Sequence, residues 1–537
     1  MSLQEYQCDT LIVGGGIAGI VTALELLQKG QQVIVVDRDS KERFGGLARW
    51  AFGGMCLVGT PEQKRMGIRD TPEQALQDWH SFAEFSEADH WPKRWAEYYV
   101  NESYPRVYRW LRDQGLSFFP AVNWVERGLY TSGNSLPRYH ILWGCSLAMT
   151  ETLIGKLLNS PRANNLTVLH HHRVDELLTG GGHLAGAIGK NELNGSDFTV
   201  SADNVVVATG GINGTLERVR ENWYKPWGEP PSGMLNGAHP YADGKIHDQV
   251  NAIGGQVTHA DKMWNYAAGI PHPQPHFPDH GLSLIPCKSA LWLNHRGERI
   301  GPDPLVTGFD TNYLCQRVAE QDKPYTWQLL NWRIAAKEFA ISGAEHNQPI
   351  RDKKLLQFLK ESLLGNHRLI RQMQTESDSF LVADNLSELV EKMNALTGTQ
   401  DIELPRLQTL LDQYDSNFSK GSSFFNDDQI RRIEHARHWR SDKIRTCKPA
   451  PIQDPKAGPL IAIRLQLISR KSLGGIQTDL KSRVLDDSGS SIPGLYAVGE
   501  AAGFGGGGAS GKRSLEGTFL PGCILTARAA AAAITEP

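Results

Sequence analysis

Three glycines at fixed spacing carry the first chemistry in this sequence. Gly14, Gly16 and Gly19 follow the apolar run Leu11-Ile12-Val13 and open the stretch Val21 to Gln28, and Asp37 closes a second apolar run, Val33 to Val36. A G-x-G-x-x-G turn between a strand and a helix lets a pyrophosphate approach the backbone at the positive end of the helix. An acid about twenty residues further on accepts from ribose hydroxyls. The spacing therefore predicts a βαβ dinucleotide site. Other reactive-looking stretches predict less. Gly506 to Lys512 imitates a phosphate loop, but Arg513 stands where Ser or Thr would hold magnesium. His170, His171 and His172 lie in a strand-like run, where adjacent imidazoles point to opposite faces. His272, His276 and His280 lie in a Pro-rich loop of open geometry, and no metal is expected.

The elements that must position this turn read as an α/β fold. Continuous apolar runs such as Val205-Val206-Val207-Ala208 suit strands buried on both faces. Helices are expected near residues 72 to 115, 146 to 158 and 519 to 534. From 262 to 455 Pro-rich loops give way to amphipathic stretches such as Leu355 to Leu364 and Leu386 to Leu396, which reads as an inserted domain. The expected architecture is a Rossmann-like dinucleotide-binding domain, residues 1–261 and 456–537, with an inserted α+β domain, 262–455. The chain's 537 residues are ample for two domains.

Charge excludes some partners. Lys and Arg total 56 against 59 Asp and Glu, so no global field attracts nucleic acid. The basic run from Arg431 to Lys448 is the one local exception and keeps an RNA-linked alternative open. The seven cysteines are scattered without C-x-x-C or a haem motif, so they are expected as thiols. A polar leader precedes Leu11 and no long uncharged apolar stretch follows. No membrane span is expected, and the location is expected to be cytoplasmic.

The choice between NAD and FAD turns on Gly45-Gly46 through Gly53-Gly54, Ala208-Thr209-Gly210-Gly211 and Tyr496-Ala497-Val498-Gly499-Glu500. On these motifs, over nearly its whole length, the sequence resembles the fumarate reductase and succinate dehydrogenase flavoprotein superfamily, which includes 3-ketosteroid dehydrogenases and other FAD-binding dehydrogenases. The resemblance implies a Rossmann-like FAD-binding domain, with the inserted α+β domain as a capping domain and the substrate cleft at their interface. The resemblance implies that Gly14, Gly16, Ile17, Ala18 and Gly19 form the pyrophosphate turn, with Asp37 and Arg38 at the ribose. Gly45, Gly46, Arg49, Gly53 and Gly54 make a second glycine stretch, and Val174, Ala208, Thr209 and Gly210 join the cofactor set. Asp243 resembles the turn beside the flavin. Gly499 and Glu500 resemble the acid segment that holds ribityl or ribose hydroxyls. Ser514 and Leu515 precede a final helix whose dipole would face the flavin N1/O2 edge. The position of a covalent flavin link is Leu47 here, so FAD is expected to be noncovalent.

The same resemblance implies hydride transfer with flavin N5 at a carbon–carbon bond next to a carbonyl or carboxylate, with a side chain moving the proton. Arg513 stands where fumarate reductases hold a substrate carboxylate, and His140 and Tyr139 are the proton-transfer candidates. Arg470 and Lys471 replace the family's histidines in the substrate clamp, with Tyr266 and Asp310 as further substrate residues. A small-molecule substrate and a separate electron partner are expected, and no nucleic acid. Ketosteroid-type dehydrogenation is the nearer alternative, an FAD-containing RNA-modifying or RNA-binding protein the farther one.

Overall fold

A computed structural model describes residues 3–180 and 183–536. Strand β1 (Gln4–Val13), helix α1 (Ile17–Gln28) and strand β2 (Val33–Val36) form the expected βαβ unit. The first sheet runs in the order Arg483–Leu485, β7 (Ser491–Ala497), β4 (Asp197–Val207), β1, β2 and β3 (Leu166–Leu169). Strands β7, β4, β1, β2 and β3 pair in parallel. Val13 pairs with both Val36 and Val207. This register levels the carboxyl ends of three neighbouring strands, and a crevice opens there, as ligand sites in parallel sheets require. The last helix, α3 (Phe519–Ile534), packs against α1 on one face of the sheet.

A second sheet is built around β6 (Leu460–Ser472), with β5 (Met263–Pro271) on one side and Thr326–Asn331 on the other, all antiparallel. Helices of residues 311–444 surround it, among them α2 (Leu355–Leu364). Its core is separate from that of the first sheet and centres on Trp292, Trp327, Leu329 and Ile461 to Ile463.

The return to the first layer differs from the expectation of residue 456. β6 is the central strand of the second sheet, and the chain rejoins the first only at Arg483–Leu485. The run Leu460-Ile461-Ala462-Ile463 is buried on both faces, and such a run reads alike in either sheet. The basic run at 431–448 also turns inward in part: Arg432 donates to the Pro304 carbonyl and Arg437 to that of Thr446.

Between the layers, strand Tyr139–Leu142 is anchored through the fully buried Arg138. Its guanidinium donates to both Asp70 oxygens at 2.8 Å and to Asp78 at 2.6 Å. Removing one partner of such a buried set strands the remaining charges. Arg138→Ala should therefore cost about 3–5 kcal/mol of unfolding free energy, measured as a fall in the denaturant midpoint at unchanged slope.

Candidate active site

The glycine turn forms one wall of the crevice. Gly14, at φ +109°, passes so close to β4 that an added Cβ would lie 2.3 Å from the Ala208 carbonyl oxygen. At Gly19 a Cβ would lie 2.1 Å from the Gly14 oxygen, so α1 rests on the turn itself. At Gly16 it would meet nothing within 4 Å and would project into the cavity. Asp37 accepts from the backbone N–H of Gly15 at 2.5 Å and of Asp39 at 2.7 Å. Burial raises its carboxyl pKa. Arg38 bridges Asp243 at 3.2 Å and lies over the Tyr241 ring. Ile17, Ala18, Gly46, Gly53, Gly54 and Val174 line the same cavity, as do Ala208, Thr209 and Gly210.

At the other end β6 contributes two cations. Lys471 pairs with Trp264 of β5, but the next pair is Asn265 with Ser469, so Arg470 is the extra residue of a bulge. A bulge breaks the strict alternation of strand faces, and both Arg470 and Lys471 line the cavity. Burial lowers both pKa values, that of Lys471 to about 8. Across from them the Tyr266 hydroxyl donates to Glu516 Oε2 at 2.9 Å, and Trp264 Nε1 donates to the same oxygen at 3.2 Å. Burial, then the nearby Glu516 carboxylate, holds the Tyr266 phenol well above its usual pKa. Tyr139 lines the cavity close against Gly54 and Gly517.

These features test the cavity against FAD. Gly16 leaves an open approach for a pyrophosphate, and the Thr209 hydroxyl is buried without a partner. Glu500 lines the cavity as a buried carboxyl raised to about 7 by desolvation, with one oxygen accepting from Ser472 N–H at 3.0 Å. Gly517, Phe519 and Leu520 bring the start of α3 to the wall. The residues fit the group: donors at the glycine turn, acids for hydroxyls, and a helix N-terminus for developing negative charge.

Several expected residues lie elsewhere. Arg513 is ion-paired with Glu84 and, at 3.2 Å, with Asp310, and neither Arg513 nor Asp310 lines the cavity. Asp310 caps the helix Thr311–Ala319 through Tyr313 N–H at 3.1 Å. A charged side chain this far into the fold is held where counter-charges exist, and Glu84 and Asp310 supply them. His140 is fully buried, with Nε2 2.7 Å from Thr60 Oγ1 and Nδ1 2.7 Å from the Arg138 carbonyl. Desolvation lowers its pKa to about 4, so it is a neutral packing residue outside the cavity.

Ser514 bonds Thr518 at 2.7 Å and Leu515 is core, both behind the wall. Arg49 turns to the Phe44 carbonyl and Glu151. Gly45 supports the turn through a bridge to Gly16, and Gly499 backs Ala18. His272 and His280 stack at 4.3 Å, and their Nδ1 atoms accept from Gln274 and His276 N–H. Ring nitrogens of His272, His276 and His280 lie within 4.8 Å of one another.

Glu516 is the residue that sequence reasoning passed over. It lies three positions after Arg513, just before the apolar run of α3, and an acid at that point was the available signal. His239, 3.2 Å from Asp39 and stacked under Trp50, is a second addition to the wall.

A dinucleotide cradle at level strand ends, faced by a second sheet that delivers a hydroxyl, a carboxylate and two cations, is the arrangement of an FAD-dependent oxidoreductase. The family model described as FAD binding domain matches residues 9–520, and the chain belongs to that family. A KsdD-like steroid dehydrogenase of Mycolicibacterium smegmatis is 41% identical over 530 residues, covering 95% of this chain and 96% of the relative. The open conformation of a flavocytochrome c3 fumarate reductase matches with a TM-score of 0.68 at 19% identity, over 99% of this chain and 79% of that one. A 3-ketosteroid-Δ4-(5α)-dehydrogenase from Rhodococcus jostii RHA1, in complex with 4-androstene-3,17-dione, matches at 0.64 and 20% identity over 100% and 98%. The protein is an FAD-dependent oxidoreductase. Among the described residues no helix is long and apolar enough to cross a membrane.

The backbone at Gly16 has an ordinary φ of −71°, so a side chain there leaves the fold intact and fills the cradle. Gly16→Val should purify folded but colourless, as read from the flavin absorbance per protein; stoichiometric FAD in the variant would displace the cradle from this turn.

Proposed function

We propose that the protein dehydrogenates a carbon–carbon bond next to a ketone in an apolar, steroid-like substrate, with Tyr266 and Glu516 as the proton-transfer pair. The observation that carries this reading is the 2.9 Å bond from the Tyr266 hydroxyl to Glu516 beside Arg470 and Lys471 in the cavity. Bound FAD supplies the hydride acceptor. The chain's own residues must then withdraw the proton from the carbon next to the carbonyl and hold the charge that gathers on the carbonyl oxygen.

Tyr266 Oη takes that proton while its own passes to Glu516 Oε2. A phenol held well above its usual pKa is a poor base alone, and the carboxylate on the same hydrogen bond makes the transfer concerted. Trp264 fixes the carboxylate from the other side. Arg470 and Lys471 are the cations available to a carbonyl oxygen as it becomes an enolate. Arg513 is held by Glu84 and Asp310, away from any substrate carboxylate in the cavity. Tyr139, Phe52, Phe519 and Leu520 give the cavity an apolar wall suited to a ring system. The 41% identity to a KsdD-like steroid dehydrogenase supports the steroid class. Leu47 lines the cavity and cannot form a flavin bond, which supports noncovalent FAD.

Anaerobic mixing of the oxidised enzyme with saturated 3-oxosteroids, simple saturated ketones and saturated acids tests the substrate: bleaching of the flavin by the saturated ketosteroids is expected, and no bleaching by them removes the reading. Tyr266→Phe and Glu516→Gln should each lower kcat by about 10²–10⁴-fold with FAD content unchanged; wild-type turnover in both would return the proton step to another group. Lys471 is cationic below about pH 8 and loses its proton above it. Turnover should accordingly fall as pH rises through about 8, and Lys471→Arg should move that limb to higher pH.

A further inference from the structure

Helix α2 departs from the usual polarity of a surface helix. Leu355, Leu359 and Leu363 follow i, i+4 and i+8, and Leu356 lies seven residues before Leu363, so the four form one stripe. A stripe of this kind normally faces the core. Here it faces outward: Leu356 is 83% exposed and Leu363 72%, and no residue of the helix is buried. The inward side carries Phe358, which packs edge-on against Phe119 at 4.9 Å, with Gln357 bonded to Glu361. The helix is therefore seated by its minority face and presents leucine to its surroundings.

The charge around the stripe is one-sided. Residues 351–371 hold six Lys and Arg against two acids, in a chain whose net charge is −3. Both acids are already paired, Asp352 with Arg351 and Lys354, and Glu361 with Arg368. Lys353, Lys360 and Arg371 are exposed and have no carboxylate partner among the described residues. Outward leucines flanked by uncommitted cations are the pattern of a helix lying in the interface of an anionic bilayer. A ten-residue helix about 15 Å long and about 10 Å across presents a face of roughly 150 Å², far short of the footprint of about 800 Å² per partner that a stable protein interface needs.

We propose that α2 docks the protein on an anionic phospholipid surface, its leucine stripe in the acyl boundary and its cations on the headgroups. Phe358, on the inward side of α2, shares a small apolar cluster with Phe52, which lines the active-site cavity, so the docked helix adjoins the cavity wall. An apolar substrate dissolved in lipid would then meet the enzyme at the surface where it is concentrated. The docking stands on the helix and its charges and does not require the steroid reading.

The test is co-sedimentation of the full-length, FAD-loaded protein with phosphatidylcholine vesicles, with and without phosphatidylglycerol. Binding is expected only to the phosphatidylglycerol vesicles, weakening as salt rises. The double variant Leu356→Glu, Leu363→Glu should reduce the bound fraction about tenfold at unchanged flavin content and melting temperature, and Lys353→Glu with Lys360→Glu should weaken it without touching the stripe. No binding to either vesicle, or equal binding by the leucine variant, overturns the proposal. So does a concentration-dependent dimer, seen by sedimentation velocity, that the leucine variant abolishes, because the stripe would then be covered by a second copy.

Discussion

The contact between the Gly14 backbone and the Ala208 carbonyl is the constraint on which the site depends. An added Cβ would overlap that oxygen at 2.3 Å, so the chain leaving β1 can cross the end of β4 only as glycine. The crossing holds because the strands are level: Gly14 N–H donates to the Val36 carbonyl and Ala208 N–H to that of Val13, each at 2.8 Å. Val498 N–H continues the row on Val207 at 2.9 Å. A shift of one residue in any of these pairings would move the turn off the crevice and flip a whole strand face. Glu500 reaches the cavity only because β7 shares this level.

The second sheet is tied to that crevice by one strand. β6 runs through the centre of the capping sheet, and its last residues meet the FAD side: Ser472 N–H donates to Glu500 and Ser469 Oγ accepts from Asn213. The bulge at Arg470 lies between these two anchors. Its extra residue turns two successive side chains toward the cavity, which a regular strand could not do. The cofactor wall and the cationic clamp are therefore parts of one hydrogen-bonded element, so a change at the bulge is felt at Glu500.

Legibility in the sequence followed the range of the interactions. The βαβ unit and the final helix are local: an apolar run, three glycines, and Phe519 to Ile534 with its alanines determine their own geometry, and the structure places them at the expected residues. The cradle residues Gly14, Gly16, Asp37 and Thr209 follow from the same local pattern. The boundary near 456 does not, because a doubly buried strand carries no mark of which sheet will take it. Arg513 and His140 share family positions, but their partners, Glu84 and Thr60, are 429 and 80 residues away. Glu516 gains its meaning from Tyr266 and Trp264, 250 and 252 residues earlier, a pairing that no spacing rule reaches.

The balance of charge explains why an arginine near the last helix can be withdrawn from chemistry. Lys471 and Arg470 face Glu500 and Glu516 across the cavity, so two cations meet two acids. A third cation would leave a net positive site, which favours a bound anion. Glu84 and Asp310 hold Arg513 outside it, and the carboxyl of Asp310 in turn caps a helix of the second layer. What remains at the cavity is a balanced set of two cations and two acids, with the Tyr266 hydroxyl held on Glu516. Donors fixed in advance stabilise developing charge without reorganising.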